Sequence, residues 1–218
     1  TRLGKMINLK VTDILETIEC KEYVGDNEAI ISKMAVLDGE NQEPTALSWC
    51  SDSNIHRLSL SLKGSIICSR KIFDQPHSDS CNFLVVENPR LTFAHVINEF
   101  FRYPEISGIS TTAIIDGSVV LDTGACIGNN VTIEGNCIIG KQVSIGHNTV
   151  VKSNTVIGDN VVIGSCCTIG GCGFGYETNS DGRKLRINHI GGVRLSDRVE
   201  IGNNVCIDRG VIGDTTLQ

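Results

Sequence analysis

The sequence contains no apolar run long enough to cross a membrane. Its most apolar stretches, residues 65–68 and 83–86, are only of strand length, whereas a spanning helix needs about 20 apolar residues. The first residues contain no signal-peptide hydrophobic segment, and 19 Lys+Arg against 25 Asp+Glu give a formal net charge of −6. These absences predict a cytoplasmic protein with no integral membrane span and no nucleic-acid partner, since binding phosphates requires a basic surface.

The ten cysteines do not form the Cys-x2-Cys pairs that commonly bind zinc. In a reducing cytosol such residues are free thiols. We therefore expect neither disulfides nor a metal site, and nothing in the sequence requires another cofactor.

A repeat of six residues dominates the second half of the chain. An isoleucine, leucine or valine occupies every sixth position from Ile109 to Ile169. This spacing matches neither the 3.6-residue period of a helix nor the two-residue alternation of a strand. It is typical of a left-handed parallel β-helix, in which each hexad forms one side of a three-sided coil.

Other positions of the hexad fit the same coil. A small or β-branched residue precedes most of the large aliphatics by two positions and would share the interior. Glycine often follows the aliphatic and is itself followed by Asn, Asp or Lys, as in Gly128-Asn129-Asn130 and Gly158-Asp159-Asn160. We predict a corner with positive φ in these segments. Five cysteines are predicted to fill small apolar positions of the hexads: Cys126, Cys137, Cys166, Cys167 and Cys206.

The repeat is interrupted once. It stops after Gly170 and resumes at Val193 in the same phase, and the segment between them, 171–192, contains turn residues and two aromatics that cannot line a coil. We predict a loop that projects from a corner, which is where solenoids usually bind ligands.

Residues 1–103 are predicted to form a separate α/β unit, joined to the solenoid of residues 104–218 by a hinge at 103–108. Predicted strands span 46–49, 65–68 and 82–86, and Ile55, Leu58 and Leu62 form a helical stripe between the first two. A short helix is predicted from Thr12 or Asp13 to Ile18, with Glu16 as capping-box partner. A second helix begins after Asn88 and carries one apolar face: Phe93, Val96, Ile97, Phe100 and Phe101.

Trp49, the only tryptophan, ends a predicted strand and precedes a polar segment, 50–54. An aromatic side chain beside a polar turn can stack on a planar base, while the turn and the carboxylate of Asp52 bond the edges of that base. Packing in the core accounts for Trp49 equally well.

These parts, in this order, resemble the bacterial UDP-3-O-acyl-glucosamine N-acyltransferases of lipid A synthesis. The similarity extends along nearly the whole chain. A hexapeptide repeat alone would be less specific, because sugar, serine and antibiotic acetyltransferases share it. Four segments carry the similarity: FLVVENPRLTFA (83–94), GFGY (173–176), RVEIG (198–202) and IDRG (207–210).

The resemblance implies a homotrimer that moves an acyl group from the thioester of acyl carrier protein, or of CoA, to the amine of a nucleotide-linked amino sugar. It also implies that residues 49–55 hold the base, although Asp52 replaces an amide of the family and Ile55 replaces a second aromatic. The family's catalytic histidine would fall beyond Gln218, so we expect a chain truncated before that base.

His147 is the candidate general base inside this sequence, because its Gly-His-Asn context is similar to the family's catalytic segment; a solvated corner residue is the alternative. Asp208 and Arg209 are predicted to line a subunit cleft or, alternatively, to form a corner salt bridge. The predicted substrate-binding residues are Trp49, Asp52, Phe174, Tyr176, His189, Asp208 and Arg209. The predicted dock for an acidic carrier or a phosphorylated pantetheine is formed by Arg183, Lys184 and Arg186, with Arg194 and Arg198 nearby in sequence.

Other functions stay open. An acetyltransferase acting on a deoxyamino nucleotide sugar for surface polysaccharide fits the altered base pocket, and a non-catalytic nucleotide-sugar-binding module fits the missing base. A zinc carbonic anhydrase on the same solenoid needs three convergent histidines, whereas the solenoid half of this chain contains only His147 and His189.

Overall fold

The computed structural model describes residues 8–37, 43–101 and 106–218. Contacts divide the chain into two compact units, Thr1–Tyr103 and Pro104–Gln218. The predicted hinge at 103–108 lies partly outside the described residues. Within these ranges, no helix is long and apolar enough to span a bilayer.

The first unit is an α/β structure with a 3₁₀ helix, Asp52–Arg57, after its fifth strand. Its strands are β1 (Leu9–Lys10), β2 (Glu22–Val24), β3 (Ile30–Ile31), β4 (Lys33–Met34), β5 (Ala46–Trp49), β6 (Gly64–Cys68) and β7 (Cys81–Val85). Its helices are α1 (Val11–Leu15), α2 (Arg70–Phe73) and α3 (Pro89–Phe100).

One sheet organises this unit, with strand order β2-β7-β6-β5-β4. Strands β4 to β7 are parallel, while β2 pairs antiparallel with β7. Neighbouring residues of β6 serve opposite faces, since Ile67 belongs to the core that packs on α3 and Ile66 to the core that packs on α2. Both faces of the parallel strands are therefore buried, as expected for helix-covered parallel sheets.

Helix α3 is confirmed as predicted, because the Asn88 side chain accepts a hydrogen bond from the Leu91 N–H at 3.1 Å and Pro89 occupies the first turn. The predicted short first helix is present but begins and ends earlier than expected, and the predicted stripe after β5 is only partly helical. Helix α1 begins earlier, at Val11, because the carboxylate of Asp13 accepts from the Lys10 N–H at 3.0 Å. After β5 the structure has a short 3₁₀ helix that includes Ile55 but ends before Leu58 and Leu62. All three apolar residues pack in the core on one face of the sheet.

The second unit consists of short strands, most of them two residues long. They are β8 (Ile114–Ile115), β9 (Val120–Leu121), β10 (Cys126–Ile127), β11 (Thr132–Ile133), β12 (Ile138–Ile139), β13 (Ser144–Ile145), β14 (Val150–Val151), β15 (Thr155–Ile157), β16 (Val162–Ile163), β17 (Thr168–Cys172), β18 (Tyr176–Thr178), β19 (Lys184–Arg186), β20 (Val193–Leu195), β21 (Glu200–Ile201), β22 (Cys206–Arg209) and β23 (Thr215–Leu217).

Three parallel sheets form the sides of a coil. Sheet A contains β8, β11, β14, β17 and β22; sheet B contains β9, β12, β15, β20 and β23; sheet C contains β10, β13, β16 and β21. Before the insertion each strand pairs with the strand 18 residues later, as Cys126 pairs with Ser144, so three hexads close one turn; after it, β20 pairs with β23 at a distance of 22 residues, as for Val193 and Thr215. Across the insertion the pairing distance becomes 38 residues, as for Val162 and Glu200. The hexapeptide pattern and the parallel sheets fit a left-handed β-helix.

The predicted aliphatic positions line the interior of this coil. From Ile127 to Ile169 they are 0–1% exposed, and the small residues two positions earlier, such as Val131 and Val161, are equally buried. Ile109, the first member of the series, is 51% exposed. Burial of each such side chain on its neighbours above and below stabilises the coil by about 1.5–3 kcal/mol.

The predicted corners are present, and an asparagine in each of the two named segments has the positive φ. Positive φ is found three positions after the aliphatic, at Asn130 (56°) and Asn148 (58°), and not at Gly128. Gly128 is required for a different reason, because a Cβ there would lie 2.9 Å from the backbone nitrogen of His147 in the next coil. Asparagine tolerates the left-handed conformation, while the glycines allow close stacking of the coils.

This explanation distinguishes two glycines that occupy the same hexad position. A Cβ on Gly164 would lie 2.6 Å from the Asn203 nitrogen and the Gly202 carbonyl carbon, whereas one on Gly202 would have nothing within 4 Å. We expect Gly164→Ala to lower the free energy of unfolding by about 1–3 kcal/mol, the usual cost of overpacking. Gly202→Ala should leave it nearly unchanged. Urea unfolding of the two variants provides the comparison, and equal losses would contradict the stacking explanation.

All ten cysteines are free thiols. Cys137 and Cys167 occupy the interior as predicted, but Cys166 and Cys206 are exposed and Cys126 is only partly buried. The prediction was wrong for these three because two of them point outward from strands and Cys166 adopts a corner φ of 60°.

Candidate functional site

A cleft of about 790 Å³ opens in the first unit at the carboxyl ends of β5, β6 and β7. In parallel α/β sheets this edge is the usual ligand position. Its walls are the residues that follow each strand, namely Trp49, Ser51, Asp52, Ser53, Ser69, Arg70, Lys71, Val85, Val86, Glu87, Asn88, Pro89 and Arg90, together with Lys21.

Trp49 shares its surface between the core and this cleft. It is partly buried, and its ring lies 6.2 Å from the ring of Phe93 on α3, tilted by 39°. It also lines a second, mostly apolar hollow of about 330 Å³ with Met34 and Ile97. Core packing is therefore confirmed for the part of Trp49 that contacts Phe93, while stacking on a base stays a prediction for the part that borders the cleft.

Asp52 does not stand free in the cleft. Its Oδ2 lies 3.1 Å from the Lys71 ammonium, and its Oδ1 accepts from the Ser69 hydroxyl at 3.2 Å. The carboxylate is thus held by the loop after β6. Below it, burial raises the pKa of the Cys50 thiol to about 11 and that of Cys68 to about 12, so neither provides a thiolate nucleophile to the cleft.

Basic side chains surround the cleft, and sequence reasoning did not identify them. Lys21 pairs with Glu87, and Arg70 pairs with Glu22. Arg90, in the first turn of α3, is exposed and has no ion-pair partner among the residues the structure describes. The available signal was position, since Arg70 and Arg90 follow β6 and β7, whose carboxyl ends share one edge, and Lys21 precedes the antiparallel strand β2 at the same edge.

In the second unit, the insertion leaves the corner between sheets A and B. The predicted loop at this corner contains a hairpin that the sequence analysis did not specify, because β18 and β19 pair antiparallel with Tyr176 opposite Arg186 and Thr178 opposite Lys184. The turn is closed by Asn179, whose Oδ1 accepts from the Asp181 and Arg183 amides at 3.1 and 2.9 Å.

The aromatic residues at the start of the hairpin face outward. Phe174 is 95% exposed and Tyr176 is 42% exposed, and their rings meet edge to face with centroids 5.3 Å apart. Directly opposite residues of a hairpin share a face, so Tyr176 shares its face with Arg186 and Lys184. These side chains form an aromatic and basic surface on the hairpin.

The base of the insertion brings several of the predicted residues together. Nδ1 of His189 accepts a hydrogen bond from the Gly173 N–H at 2.9 Å. A Cβ on Gly171 would lie 2.7 Å from Asp208 Oδ1, and one on Gly173 would lie 3.6 Å from Asp208 Cβ. We call this group, consisting of Gly171, Gly173, His189, Asp208 and Arg209, the insertion stem.

Arg209 connects the insertion stem to the preceding coils by two hydrogen bonds. Its Nε donates to the Gly170 carbonyl at 2.7 Å and its Nη2 to the Ser153 carbonyl at 2.9 Å. In the same column, Lys152 and the Ser153 amide bind Glu134 and hold the pKa of that carboxyl below its usual range. Within the described residues neither Asp208 nor Arg209 forms an ion pair, so the corner salt bridge considered from the sequence was wrong.

His147 lies at a different corner, between sheets C and A. Its Nδ1 accepts from the Asn129 N–H at 2.8 Å. Asn203 makes the equivalent bond at the same corner two coils later, accepting from the Ser165 amide at 2.7 Å, and Asp197 makes it at the corner between sheets B and C, accepting from the Asp159 amide at 2.9 Å. His147 therefore forms part of a ladder of side chains that links successive coils.

The other basic residues separate into two kinds. Arg183, Lys184 and Arg186 are exposed on the hairpin and have no ion-pair partner in the described part of the chain. Arg194 is bound to Asp214 at 2.6 Å, and Arg198 occupies a corner with a φ of 60°. Across the described ranges, no group of three or more His, Cys, Asp or Glu residues is arranged to hold a metal ion.

The comparisons with known proteins agree with this architecture. Residues 136–171, which lie within the coil of the second unit, match the family described as bacterial transferase hexapeptide (six repeats). The chain is 39% identical to the UDP-3-O-acylglucosamine N-acyltransferase of Campylobacter lari over 96% of this chain and 68% of that protein. The chain therefore belongs to the UDP-3-O-acylglucosamine N-acyltransferase family, whose members are acyltransferases.

Two further relatives carry the same name. The protein of Delftia acidovorans is 39% identical over 94% of this chain and 61% of its own length. The protein of Helicobacter pylori strain HPAG1 is 34% identical over 96% of this chain and 66% of its own length. The chain thus spans about two thirds of the length of the relatives it matches.

Proposed function

We propose that the protein is an N-acyltransferase that moves an acyl group from the thioester of acyl carrier protein, or of CoA, to the amine of a nucleotide-linked amino sugar in the cytoplasm, as in lipid A synthesis. The observation that carries this proposal is the 39% identity that extends over 96% of the chain and thus covers both units. The two candidate regions divide the task between nucleotide binding and acyl transfer.

The cleft of the first unit is the proposed nucleotide site. The exposed part of Trp49 offers a surface for stacking on the base, and the surrounding cations suit a phosphorylated ligand. Asp52 is already engaged by Lys71 and Ser69, and an ionised carboxylate only accepts hydrogen bonds. Base recognition in this cleft therefore uses an acceptor from Asp52 and a donor from Lys71.

The contacts of Asp52 with Lys71 and Ser69 also support the second candidate function, an acetyltransferase of a deoxyamino nucleotide sugar for surface polysaccharide. With its carboxylate held in this way, the cleft would suit a nucleotide base other than uracil. A non-catalytic nucleotide-sugar-binding module is the third. Calorimetry with UDP, TDP and GDP sugars separates the bases, and a thioester-turnover assay beside it separates a catalyst from a binder. Absence of binding to all three nucleotides would overturn the proposed function.

The insertion stem and the two aromatic residues at the start of the hairpin form the proposed acceptor and transfer region. There, substrate contacts Phe174, Tyr176, His189, Asp208 and Arg209. The attacking amine must lose a proton, which requires a general base. His147 remains the proposed base within this sequence. Since its Nδ1 accepts an amide N–H, its neutral ring carries the proton on Nε2, and accepting a proton from substrate would first require release of Asn129.

A homotrimer is part of the proposal. Sheet B presents a column of aliphatic side chains outward, in register from Val120 through Ile138 to Val156. Val120 is 61% exposed and Ile138 is 49% exposed. An apolar column of this kind on a solenoid side suits contact with a second copy of the chain.

The three unpaired cations of the hairpin are the proposed dock for the acyl donor. We expect the triple variant Arg183→Glu, Lys184→Glu and Arg186→Glu to raise the KM for the thioester donor about 3- to 10-fold at low salt, because surface charges mainly steer encounter. Binding of the nucleotide sugar should be unchanged. Lys63→Glu, an exposed reversal in the other unit, is the control. An unchanged donor KM in the triple variant would remove the docking role.

A further inference from the structure

His189 has two ring nitrogens in contrasting surroundings. Nδ1 accepts the Gly173 N–H at 2.9 Å, across the hairpin from its own position in the chain. Nε2 is buried and has no hydrogen-bond partner, the one such side-chain atom found among the described residues. A buried polar atom without a partner is costly, so this arrangement needs an explanation.

The Nδ1 bond determines the tautomer of the ring. A backbone amide always donates, so Nδ1 must carry the lone pair, and the proton of the neutral imidazole is on Nε2. His189 therefore presents an N–H donor at Nε2 and cannot act as a base through that atom.

The same bond fixes the start of the hairpin. A Cβ on Gly173 would lie 2.4 Å from His189 Cε1, and one on Gly175 would lie 3.2 Å from Nε2. The ring thus packs directly against the backbone of both glycines that flank Phe174. Ile187, whose N–H donates to the Gly175 carbonyl at 2.9 Å, closes the other side.

We propose that His189 is a positioning residue of the acyl-transfer site. Its Nδ1 binds the Gly173 amide and thereby fixes the positions of the Phe174 and Tyr176 rings. The same hydrogen bond keeps the imidazole of His189 in the Nε2–H tautomer. The consequence for substrate rests on the proposed function. In the acyl-transfer site, a substrate oxygen displaces the glycine backbone that covers Nε2 and accepts a hydrogen bond from Nε2–H.

The first test is made on the unmodified chain by ¹⁵N NMR of the imidazole. We expect the shifts of a neutral ring with a protonated Nε2 and an unprotonated Nδ1. A protonated Nδ1 in the neutral ring would overturn the proposal, whatever the chain binds.

Matched variants test the holding role. The Oδ1 of asparagine occupies about the position of Nδ1, so His189→Asn keeps the acceptor and loses the Nε2 donor, while His189→Leu loses both. Loss of one such bond should speed hydrogen exchange of the Gly173 amide about tenfold in His189→Leu, with protection restored in His189→Asn. Equal exchange in the wild-type chain and His189→Leu would overturn the proposal.

Calorimetry with the nucleotide amino sugar separates the two nitrogens. If Nε2–H contacts substrate, both variants bind the sugar more weakly than the wild-type chain. If His189 acts only by placing the Phe174 and Tyr176 rings, His189→Asn binds the sugar normally, and the Nε2 part of the proposal fails. Absence of binding by the wild-type chain would count against the proposed function, while the NMR and exchange results would still decide the role of Nδ1.

Discussion

Replacing Ile139 by alanine should lower the free energy of unfolding by about 2–5 kcal/mol, the range for truncating a buried isoleucine to alanine. Ile139 is fully buried, and its β12 strand pairs with β9 below it and β15 above it. The coil offers no flexible side chain to fill the resulting space, because its interior is lined by short aliphatics fixed by the register of the sheets. Urea unfolding at fixed protein concentration measures the loss.

The adjacent isoleucine provides the matched control. Ile138 has the same side chain and the same strand but points outward and is 49% exposed. Ile138→Ala should therefore cost less than about 1 kcal/mol in the isolated chain, since little apolar area returns to water. A loss at Ile138 equal to that at Ile139, independent of protein concentration, would contradict the inward and outward assignment. A loss that is present at high protein concentration and disappears on dilution would support the proposed subunit contact through sheet B, because association stabilises the native chain only where subunits assemble.

The coil could be predicted from sequence because its structural rule is local. Every sixth residue turns inward, so a periodic pattern of aliphatics such as Ile133, Ile139 and Ile145 suffices without knowledge of distant contacts. The interruption at 171–192 was visible for the same reason. What the pattern did not specify was the conformation inside it, although the Asp181-Gly182 pair is a known hairpin signal.

The corners show what a local pattern leaves open. The sequence predicted positive φ within segments such as Gly128-Asn129-Asn130 without specifying which residue adopts it. The structure gives it to asparagines three positions after the aliphatic, such as Asn136 and Asn154. The sequence contained this signal, but two residue types that tolerate positive φ stood close together, and only the distance between successive coils shows which one lacks space for a Cβ.

The contacts of the candidate sites could not be predicted, because they join residues far apart in the chain. Asp52 meets Lys71 only after β5 and β6 pair, and Arg209 meets Ser153 only after two coils stack. The residue types predicted the chemistry of Asp52, an acceptor, and of Arg209, a cation, but did not identify Lys71. Their partners follow from sheet order and register, neither of which is encoded within a short window of sequence.

Trp49 gives the second large expected effect. If its exposed part stacks on the nucleotide base, Trp49→Ala should weaken binding of the nucleotide sugar by about 10- to 100-fold, corresponding to the 1–3 kcal/mol measured for aromatic stacking on a base. Trp49→Phe keeps a ring and should lose less. Because this is the only tryptophan, quenching of its fluorescence on addition of nucleotide reports the contact directly in the wild-type chain.

The packing role of Trp49 requires a separate control, since its ring lies 6.2 Å from that of Phe93. Phe93→Leu removes the packing partner and leaves the stacking surface, so it should lower the unfolding midpoint while nucleotide affinity changes little. The opposite combination is expected for Trp49→Phe, with a small change in stability and a measurable loss of affinity. If Trp49→Ala and Phe93→Leu lose stability alike and both keep full affinity, Trp49 belongs to the core and the base binds elsewhere in the cleft.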